Sequence, residues 1–300
     1  MGPDVPAGAA PEEGHRLPGC YRHPERETGI GCTRCGRPIC PDCMVSASVG
    51  FQCPECVREG HQGAREARTR YGGALALDQA LVTKVLIGLN LLVFLLTEYL
   101  RPELGGDLEL WSVSYPYRPD GLAAGPHEWY RLVTAMFVHA GVMHVALNMV
   151  SLWVLGPQLE HVLGRWRFLG LYLASGLAGG ACSYALGGVV VESVGASGAI
   201  FGLLGATVVL FKANGAPLRP AMTLLVVNLV ITFALARPNA SGVVIDWKAH
   251  VGGLVAGVVA GAGLMYAPRA RRNLVQGLTL AAVVAVALLV VVVHTAQLSG

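Results

Sequence analysis

Long apolar stretches dominate the chain after about residue 80, and polar positions become sparse there. Seven of these stretches approach the roughly 20 residues that a helix needs to cross a bilayer. They lie near residues 82–100, 142–160, 167–187, 197–213, 219–236, 248–266 and 274–295. The pattern therefore predicts an all-α membrane protein built as a bundle of transmembrane helices.

The charged positions divide the chain into two parts. Eighteen of the first 72 residues are Arg, Asp or Glu, whereas 23 charged residues are spread over the remaining 228. The first 70 residues contain no apolar stretch and so no secretion signal, which places the amino terminus in the cytosol. Short connectors on that side carry a modest excess of Lys and Arg, which agrees with this orientation. With seven spans, the carboxyl terminus would then lie outside the cell membrane. A net charge of +3 without a basic face argues against a nucleic-acid partner.

The amino-terminal part contains four ligand pairs with two-residue spacers. They are Cys20-x-x-His23, Cys32-x-x-Cys35, Cys40-x-x-Cys43 and Cys53-x-x-Cys56. Eight such ligands fill two tetrahedral zinc sites. A disulfide scaffold fits poorly, because this part holds seven of the eight cysteines, an odd number, and no secretion signal precedes them. The spacing leaves both sequential and alternating pairing of the four motifs open, and the metal would supply most of the folding energy.

Among the polar side chains that interrupt the apolar stretches, four are candidates for chemistry. His144 and Asn148 are four residues apart and share a helix face, Ser197 begins the fourth stretch, and His250 lies near the start of the sixth. A single polar side chain in a span is explained by an interhelical hydrogen bond. Four such side chains together indicate a functional cavity in the membrane.

Small residues predict how two of these helices pack. Gly198 and Gly202 form one ridge, and a second runs through residues 253–261 with glycine at every fourth position. Two such ridges permit a close helix contact, which would bring Ser197 within hydrogen-bond reach of His250 as an activated nucleophile. The Asn148 amide, the His144 ring and the Ser197 backbone N–H are candidate oxyanion donors.

Five blocks of the sequence resemble the rhomboid family of intramembrane serine proteases, from about Leu81 to Gly300. These blocks are Glu128-Trp129-Tyr130-Arg131, His139, His144-x-x-x-Asn148, Gly195-Ala196-Ser197-Gly198-Ala199-Ile200-Phe201-Gly202 and Ala249-His250-x-Gly252-Gly253. The resemblance implies a Ser197–His250 dyad with an acyl-enzyme, an oxyanion hole formed with His144 and Asn148, and no cofactor for catalysis. It also implies that Glu128 and Arg131 brace the first outer loop and that His139 supports the end of that loop.

The same resemblance implies a rhomboid-like bundle of six transmembrane helices, with a seventh helix added at the carboxyl end. Its substrates would be membrane proteins in the bilayer whose transmembrane helix unwinds locally. The cysteine-rich part resembles B-box zinc fingers, which implies that the first motif pairs with the third and the second with the fourth. A cytosolic protein partner is a further expectation for this module.

The expected domain boundaries follow from these assignments. We predict a disordered amino terminus over 1–14, a zinc module over 15–62, a linker over 63–80, the protease core over 81–267 and the additional helix over 268–300.

Other functions fit the sequence less well. A zinc metalloprotease would need a His-Glu-x-x-His motif, which this sequence lacks. An aspartyl intramembrane protease would need Asp residues in two spans, and a metal transporter would need a path of ligands along the spans; neither is present in the sequence. Asp246, four residues before His250, fits a helix start better than a third catalytic group. A non-catalytic rhomboid-like protein that binds membrane helices remains the alternative function.

Overall fold

The structure is a computed structural model, which describes residues 16–63, 68–75, 78, 80–111, 128–186, 192–234 and 246–298. The chain divides into two compact units, Met1–Glu66 and Ala67–Gly300. The predicted disordered segment 1–14 lies outside the described residues, as do positions 64–67, 76, 77 and 79 of the predicted linker. The predicted domain boundaries remain predictions.

The first unit is a small module with little regular structure. A 3-10 turn at Pro41–Cys43 precedes the strands β1 (Val45–Ser46) and β2 (Phe51–Gln52), which pair antiparallel. Helix α1 (Pro54–Gly63) follows. Six cysteines and Ile39 form its buried core, with Cys35 the exception among the seven cysteines of the module. A core of this size cannot stabilise a fold without a crosslink or a metal.

The second unit is helical. Its helices are α2 (Leu81–Leu95, continued by a π-helical turn over Leu96–Leu100), α3 (Glu103–Leu108), α4 (Arg131–Thr134), α5 (Val142–Leu163), α6 (Arg165–Leu186), α7 (Ser197–Ala213), α8 (Arg219–Ala234), α9 (Trp247–Met265) and α10 (Arg272–Leu298). Strands β3 (Leu110–Trp111) and β4 (Glu192–Ser193) pair antiparallel.

Five of the described helical segments are long and apolar enough to cross a membrane. They are Leu81–Leu100, Val142–Leu163, Arg165–Leu186, Trp247–Met265 and Arg269–Leu298. Two shorter apolar helices, Ser197–Ala213 and Arg219–Ala234, complete the set. All seven match the apolar stretches of the sequence, so the prediction of a helical, multi-pass membrane protein is confirmed. The division into six core helices and one added helix remains a prediction.

Helix α7 is the centre of the bundle, since most of its side chains are buried. Glycines set its close approach to α9. A Cβ atom at Gly253 would overlap the carbonyl oxygen of Gly198, and one at Gly257 would overlap that of Gly202. The predicted contact between two glycine ridges therefore exists, and it fixes the distance between the helices that carry Ser197 and His250.

A buried carboxylate joins α5 to the start of α2. Glu160 accepts hydrogen bonds from the backbone N–H groups of Val82 and Thr83, at 2.9 and 2.8 Å, and from the Thr83 hydroxyl at 2.8 Å. These N–H groups lie in the first turn of α2, where the backbone N–H groups have no carbonyl acceptor within the helix. Glu160 thus caps α2 from a neighbouring helix.

Helix α10 is held by polar contacts at both ends. Gln276 donates to the backbone carbonyls of Tyr71 and Leu264 at 3.0 and 2.7 Å. Near the other end of α10, the hydroxyls of Thr295 and Tyr184 lie 2.9 Å apart. The last helix is therefore packed onto α6 and α9 by specific contacts in addition to apolar ones.

Candidate active site and metal centres

Ser197 is the first residue of α7, and the segment before it is fixed by hydrogen bonds. Gly195 has a φ of +111°, a conformation that favours glycine, and its N–H donates to the Ala135 carbonyl at 2.8 Å. The pairing of β3 with β4 places Leu110 opposite Ser193 and so holds the chain two residues before Gly195. Ser197 is half-buried, and its own N–H lies in the first turn of a helix, without an intrahelical acceptor.

His250 faces Ser197 from the first turn of α9. Its Nε2 lies 2.7 Å from the Ser197 Oγ, and the ring is 7% exposed. Asp246 precedes the helix, and its Oδ1 accepts the backbone N–H groups of Lys248 and Ala249 at 3.2 and 3.3 Å. Asp246 is therefore the N-cap of α9, as its position at the predicted helix start indicated.

Two further side chains hold the His250 ring. The ring of Phe201 stacks on it, with the centroids 4.2 Å apart and the planes 15° from parallel. The Oγ1 of Thr232 lies 2.9 Å from the His250 Nδ1. Each of the two ring nitrogens of His250 therefore has a hydroxyl within hydrogen-bond distance.

His144 and Asn148 lie beside the segment that leads into Ser197. A Cβ atom at Gly195 would lie 2.8 Å from the Cε1 and Nε2 atoms of His144, and 3.7 Å from the Nδ2 of Asn148. Asn148 Nδ2 donates to the His144 carbonyl at 3.0 Å, one turn earlier in α5. The four residues predicted from the polar positions in the spans are thus brought to one place.

The predicted loop residues take separate places around this centre. Arg131 is 1% exposed, and it donates to the carboxylate of Glu128 at 3.0 Å and to the backbone carbonyls of Gly106 and Glu109 at 2.6 and 2.9 Å. One buried guanidinium therefore ties the end of α3 to the start of α4. The resemblance implied that Glu128 and Arg131 brace the first outer loop, and that role remains a prediction.

His139 supports the segment before Ser197 directly. Burial, and secondarily the nearby His144 ring, lowers the pKa of His139 to about 4, so the ring is neutral. Its Nδ1 lies 3.2 Å from the Phe137 carbonyl, and its Nε2 lies 3.5 Å from the Ala196 N. The neutral ring therefore donates through Nδ1 and accepts through Nε2, next to Ser197.

The eight predicted metal ligands form two clusters. Cys20, His23, Cys40 and Cys43 make the first, and Cys32, Cys35, Cys53 and Cys56 make the second; within each cluster the ligand atoms lie within 4.8 Å of one another. The first motif thus lies with the third and the second with the fourth. All eight cysteines of the chain are described, and each is free of a disulfide.

The distances within the clusters fit a tetrahedral metal site. The Sγ atoms of Cys35 and Cys53 are 3.8 Å apart, and His23 Nδ1 lies 3.3 and 3.5 Å from the Sγ atoms of Cys40 and Cys43. Ligands at zinc bond lengths of about 2.3 Å for sulfur and 2.0–2.1 Å for nitrogen are separated by about 3.8 and 3.6 Å in a tetrahedron. The residues present therefore fit zinc.

Sequence reasoning gave no role to Thr232 or Phe201. Phe201 follows Ser197 by one turn of α7 and so shares its face, a signal that was present in the sequence. Thr232 carries no such signal, because its contact with His250 exists only once α8 packs beside α9.

These observations define a multi-pass membrane protein with a Ser–His pair buried between two of its helices. Residues 126–267 match the family model described as the Rhomboid domain. Over these residues the chain is thus similar to the rhomboid family.

Curated relatives agree with this assignment. The chain is 36% identical to Rhomboid protease GluP of Bacillus subtilis over 186 residues, which are 61% of this chain and 34% of that protein. It is 45% identical to Putative rhomboid protease YdcA of the same organism over 85 residues, 28% of this chain and 42% of that protein. RHOMBOID-like protein 1 of Arabidopsis thaliana is 37% identical over 145 residues, 48% of this chain and 36% of that protein. The chain therefore spans less than half the length of these relatives.

Proposed function

We propose that the protein is an intramembrane serine endopeptidase that hydrolyses peptide bonds in or near the transmembrane helices of membrane proteins. The observation that carries the proposal is the 2.7 Å distance between His250 Nε2 and Ser197 Oγ. This is a hydrogen-bond distance between a nucleophile and a general base. The match of residues 126–267 to the Rhomboid domain and the similarity to two rhomboid proteases of Bacillus subtilis, one of them named as putative, support it.

The reaction divides into acylation and deacylation. Ser197 Oγ attacks the carbonyl carbon of the scissile peptide bond while His250 Nε2 takes the hydroxyl proton. The C–N bond then breaks, and the same proton passes from Nε2 to the leaving amine. In the second half, His250 takes a proton from water and the resulting oxygen nucleophile attacks the acyl carbon. The bond between that carbon and Ser197 Oγ then breaks, the carboxyl product leaves, and the proton returns from His250 to Ser197 Oγ.

Three donors are suited to the negative charge that develops on the carbonyl oxygen. The Ser197 N–H lies at the start of α7, where its own helix offers no acceptor and the helix dipole favours negative charge. The His144 Nε2 and the Asn148 Nδ2 flank the same segment at Gly195. His144 Nδ1 lies 3.3 Å from the Ala140 N–H and accepts from it, which leaves the proton on Nε2. Such preorganised donors lower the barrier because they are in place before the charge forms.

The substrate class follows from where the pair lies. Ser197 and His250 are placed between apolar helices, so a substrate segment must reach them from the bilayer. A peptide carbonyl in an intact helix is hydrogen-bonded and screened by its neighbours. The substrate helix must therefore unwind locally at the cleaved bond, and small or helix-breaking residues there would favour cleavage.

The topology that fits this function has seven spans in the cell membrane. We place six helices in the protease core over 81–267 and treat α10 as an added seventh span. An odd number of spans puts the two termini on opposite sides of the membrane. The modest bias of Lys and Arg in the connectors favours the orientation with the cysteine module in the cytosol and the carboxyl terminus outside. A disordered segment over 1–14, a module over 15–62 and a linker over 63–80 complete the proposed organisation.

We assign two structural zinc ions to the cysteine module and none to catalysis. The ligand distances given above and the absence of an apolar core other than the cysteines and Ile39 support the assignment. The zinc ions would hold the module folded. A cytosolic protein is its proposed partner.

Cleavage of a single-span model substrate in liposomes tests the function. The unaltered protein should cut the substrate, Ser197→Ala and His250→Ala should not, and Ser183→Ala, a buried serine on α6, should cut normally. A fluorophosphonate should label Ser197 and no other serine by mass spectrometry. If Ser197→Ala cuts as well as the unaltered protein, the proposal fails; binding of the substrate helix with no cleavage by any form would instead establish a non-catalytic helix-binding protein.

A further inference from the structure

We propose that Thr232 is a positioning residue that fixes the tautomer and orientation of the His250 ring. The inference rests on the proposed Ser197–His250 function and adds a third side chain to it. The Thr232 Oγ1 lies 2.9 Å from the His250 Nδ1, on the opposite side of the ring from Ser197.

Thr232 is placed for this contact by helix α8. Only Ala221 and Thr232 are buried among the described residues of α8, and Thr232 is 2% exposed. The side chains around them on α8 are largely exposed apolar groups, as expected for a helix that faces lipid. The hydroxyl of Thr232 is therefore the polar group that α8 delivers to the catalytic centre.

The chemistry of a neutral imidazole gives this contact its importance. A neutral ring carries one N–H and one acceptor nitrogen. To take the Ser197 proton, His250 must present the acceptor at Nε2, so the proton must reside on Nδ1. An N–H in a membrane interior is costly without an acceptor, and the Thr232 oxygen supplies one. The hydroxyl thereby stabilises the tautomer that can act as a base.

The same contact acts after proton transfer. The imidazolium carries an N–H on both nitrogens. The Nδ1–H keeps its hydrogen bond to the Thr232 oxygen while the Nε2–H is directed at the leaving nitrogen. The ring orientation is therefore the same in both steps. Phe201, stacked on the ring face, restricts rotation out of this plane.

Asp246 does not take this role. The Oδ1 of Asp246 accepts two backbone N–H groups at the start of α9, which is the contact pattern of a helix cap. In a Ser-His-Asp triad a carboxylate accepts the hydrogen bond from the Nδ1–H of the histidine. Here the Thr232 hydroxyl lies at that place. A neutral acceptor stabilises the imidazolium less than a carboxylate would, so the expected contribution is that of one neutral hydrogen bond.

Three threonine variants test the inference. Thr232→Val keeps the shape and removes the hydroxyl, and Thr232→Ser keeps the hydroxyl. Thr207→Val is the matched control, since Thr207 is buried and its hydroxyl donates to the Leu203 carbonyl of its own helix. Thr232→Val should lower kcat and the rate of fluorophosphonate labelling by about tenfold, the equivalent of one neutral hydrogen bond, with KM unchanged. Thr232→Ser should recover most of the loss, and Thr207→Val should match the unaltered protein.

A second measurement does not depend on how the variants fold. Nitrogen-15 NMR of the labelled histidines in the unaltered protein should show His250 with its proton on Nδ1. A proton mainly on Nε2, an unchanged labelling rate in Thr232→Val, or equal losses in Thr232→Ser and Thr232→Val would each overturn the inference. Those results would leave the Ser197 assignment intact as long as Ser197→Ala remains inactive; cleavage by Ser197→Ala would instead remove the proposed function itself.

Discussion

Gly253 on α9 lies against the backbone carbonyl of Gly198 on α7, with no room for a Cβ atom between them. Ser197 immediately precedes Gly198, and His250 lies one turn before Gly253. The separation of these two backbones therefore sets the distance between the hydroxyl and the imidazole. Any side chain at Gly253 must move one helix away from the other.

Gly253→Ala should separate the two proposed catalytic residues. We expect loss of cleavage together with a destabilisation of about 1–3 kcal/mol, typical of an overpacked core, seen as a lower midpoint of unfolding in detergent. Gly88→Ala is the control, because a Cβ atom there meets nothing within 4 Å. Normal cleavage by Gly253→Ala would show that the close packing is not what sets the geometry.

Asn148→Ala should lower kcat without raising KM, because the side chain is proposed to act on charge that appears only during reaction. Loss of a single oxyanion donor costs about 100- to 1,000-fold in a site with few donors. With His144 and the Ser197 N–H sharing the charge, we expect about tenfold here.

Asn228→Ala is the matched control for Asn148→Ala. Both side chains donate to the carbonyl one turn earlier in their own helix, at 2.8 Å for Asn228 and 3.0 Å for Asn148. Equal effects of the two variants in steady-state cleavage assays would mean that Asn148 acts only through its helix.

Glu160→Gln should destabilise the bundle while leaving the proposed catalytic residues in place. The carboxylate accepts three hydrogen bonds from Val82 and Thr83, and an amide nitrogen at one of the two positions would face a donor. The expected loss is about 1–3 kcal/mol, measured by unfolding in detergent. The same change at Glu98, an exposed residue of the π-helical turn, should have no measurable effect; a null result at Glu160 would argue against the cap.

Metal analysis of purified, reduced protein should find two zinc ions per chain. Cys40→Ser should lower the content to about one, because it alters only the cluster with His23, whereas Cys182→Ser, on α6, should leave two. A chelator should unfold the first unit, since metal binding and folding are coupled in such modules. Protein that holds no zinc under these conditions would contradict both metal sites.

The apolar pattern predicted the helices well because burial in a membrane requires long apolar segments. The seven predicted stretches correspond to seven apolar helices with ends shifted by a few residues, and the glycine spacing predicted the contact of α7 with α9. That His144, Asn148, Ser197 and His250 lie close together was also predictable. Polar groups in transmembrane helices face the interior of the bundle or a water-filled cavity, because contact with lipid is costly.

Other contacts depend on the tertiary arrangement and left no trace in the pattern. Thr232 is one polar residue in an apolar stretch, a situation that a bond to its own helix also explains. Glu160 reads as a charge at a helix end, yet it caps a helix that is distant in sequence. The pairing of the zinc ligands was left open by their spacing, because two-residue spacers are the same in either arrangement.

The segment just before α2 reaches the end of α7 that is farthest from Ser197. Arg70 and Tyr71 both donate to the Asn214 Oδ1, at 2.6 and 3.1 Å, and the Tyr71 carbonyl receives Gln276 from α10. A shortened chain that starts at Leu81 would retain every proposed catalytic residue and still lose these supports. Deletions meant to isolate the contribution of the zinc module should therefore end before Arg68, so that a fall in activity is not caused by a loosened bundle.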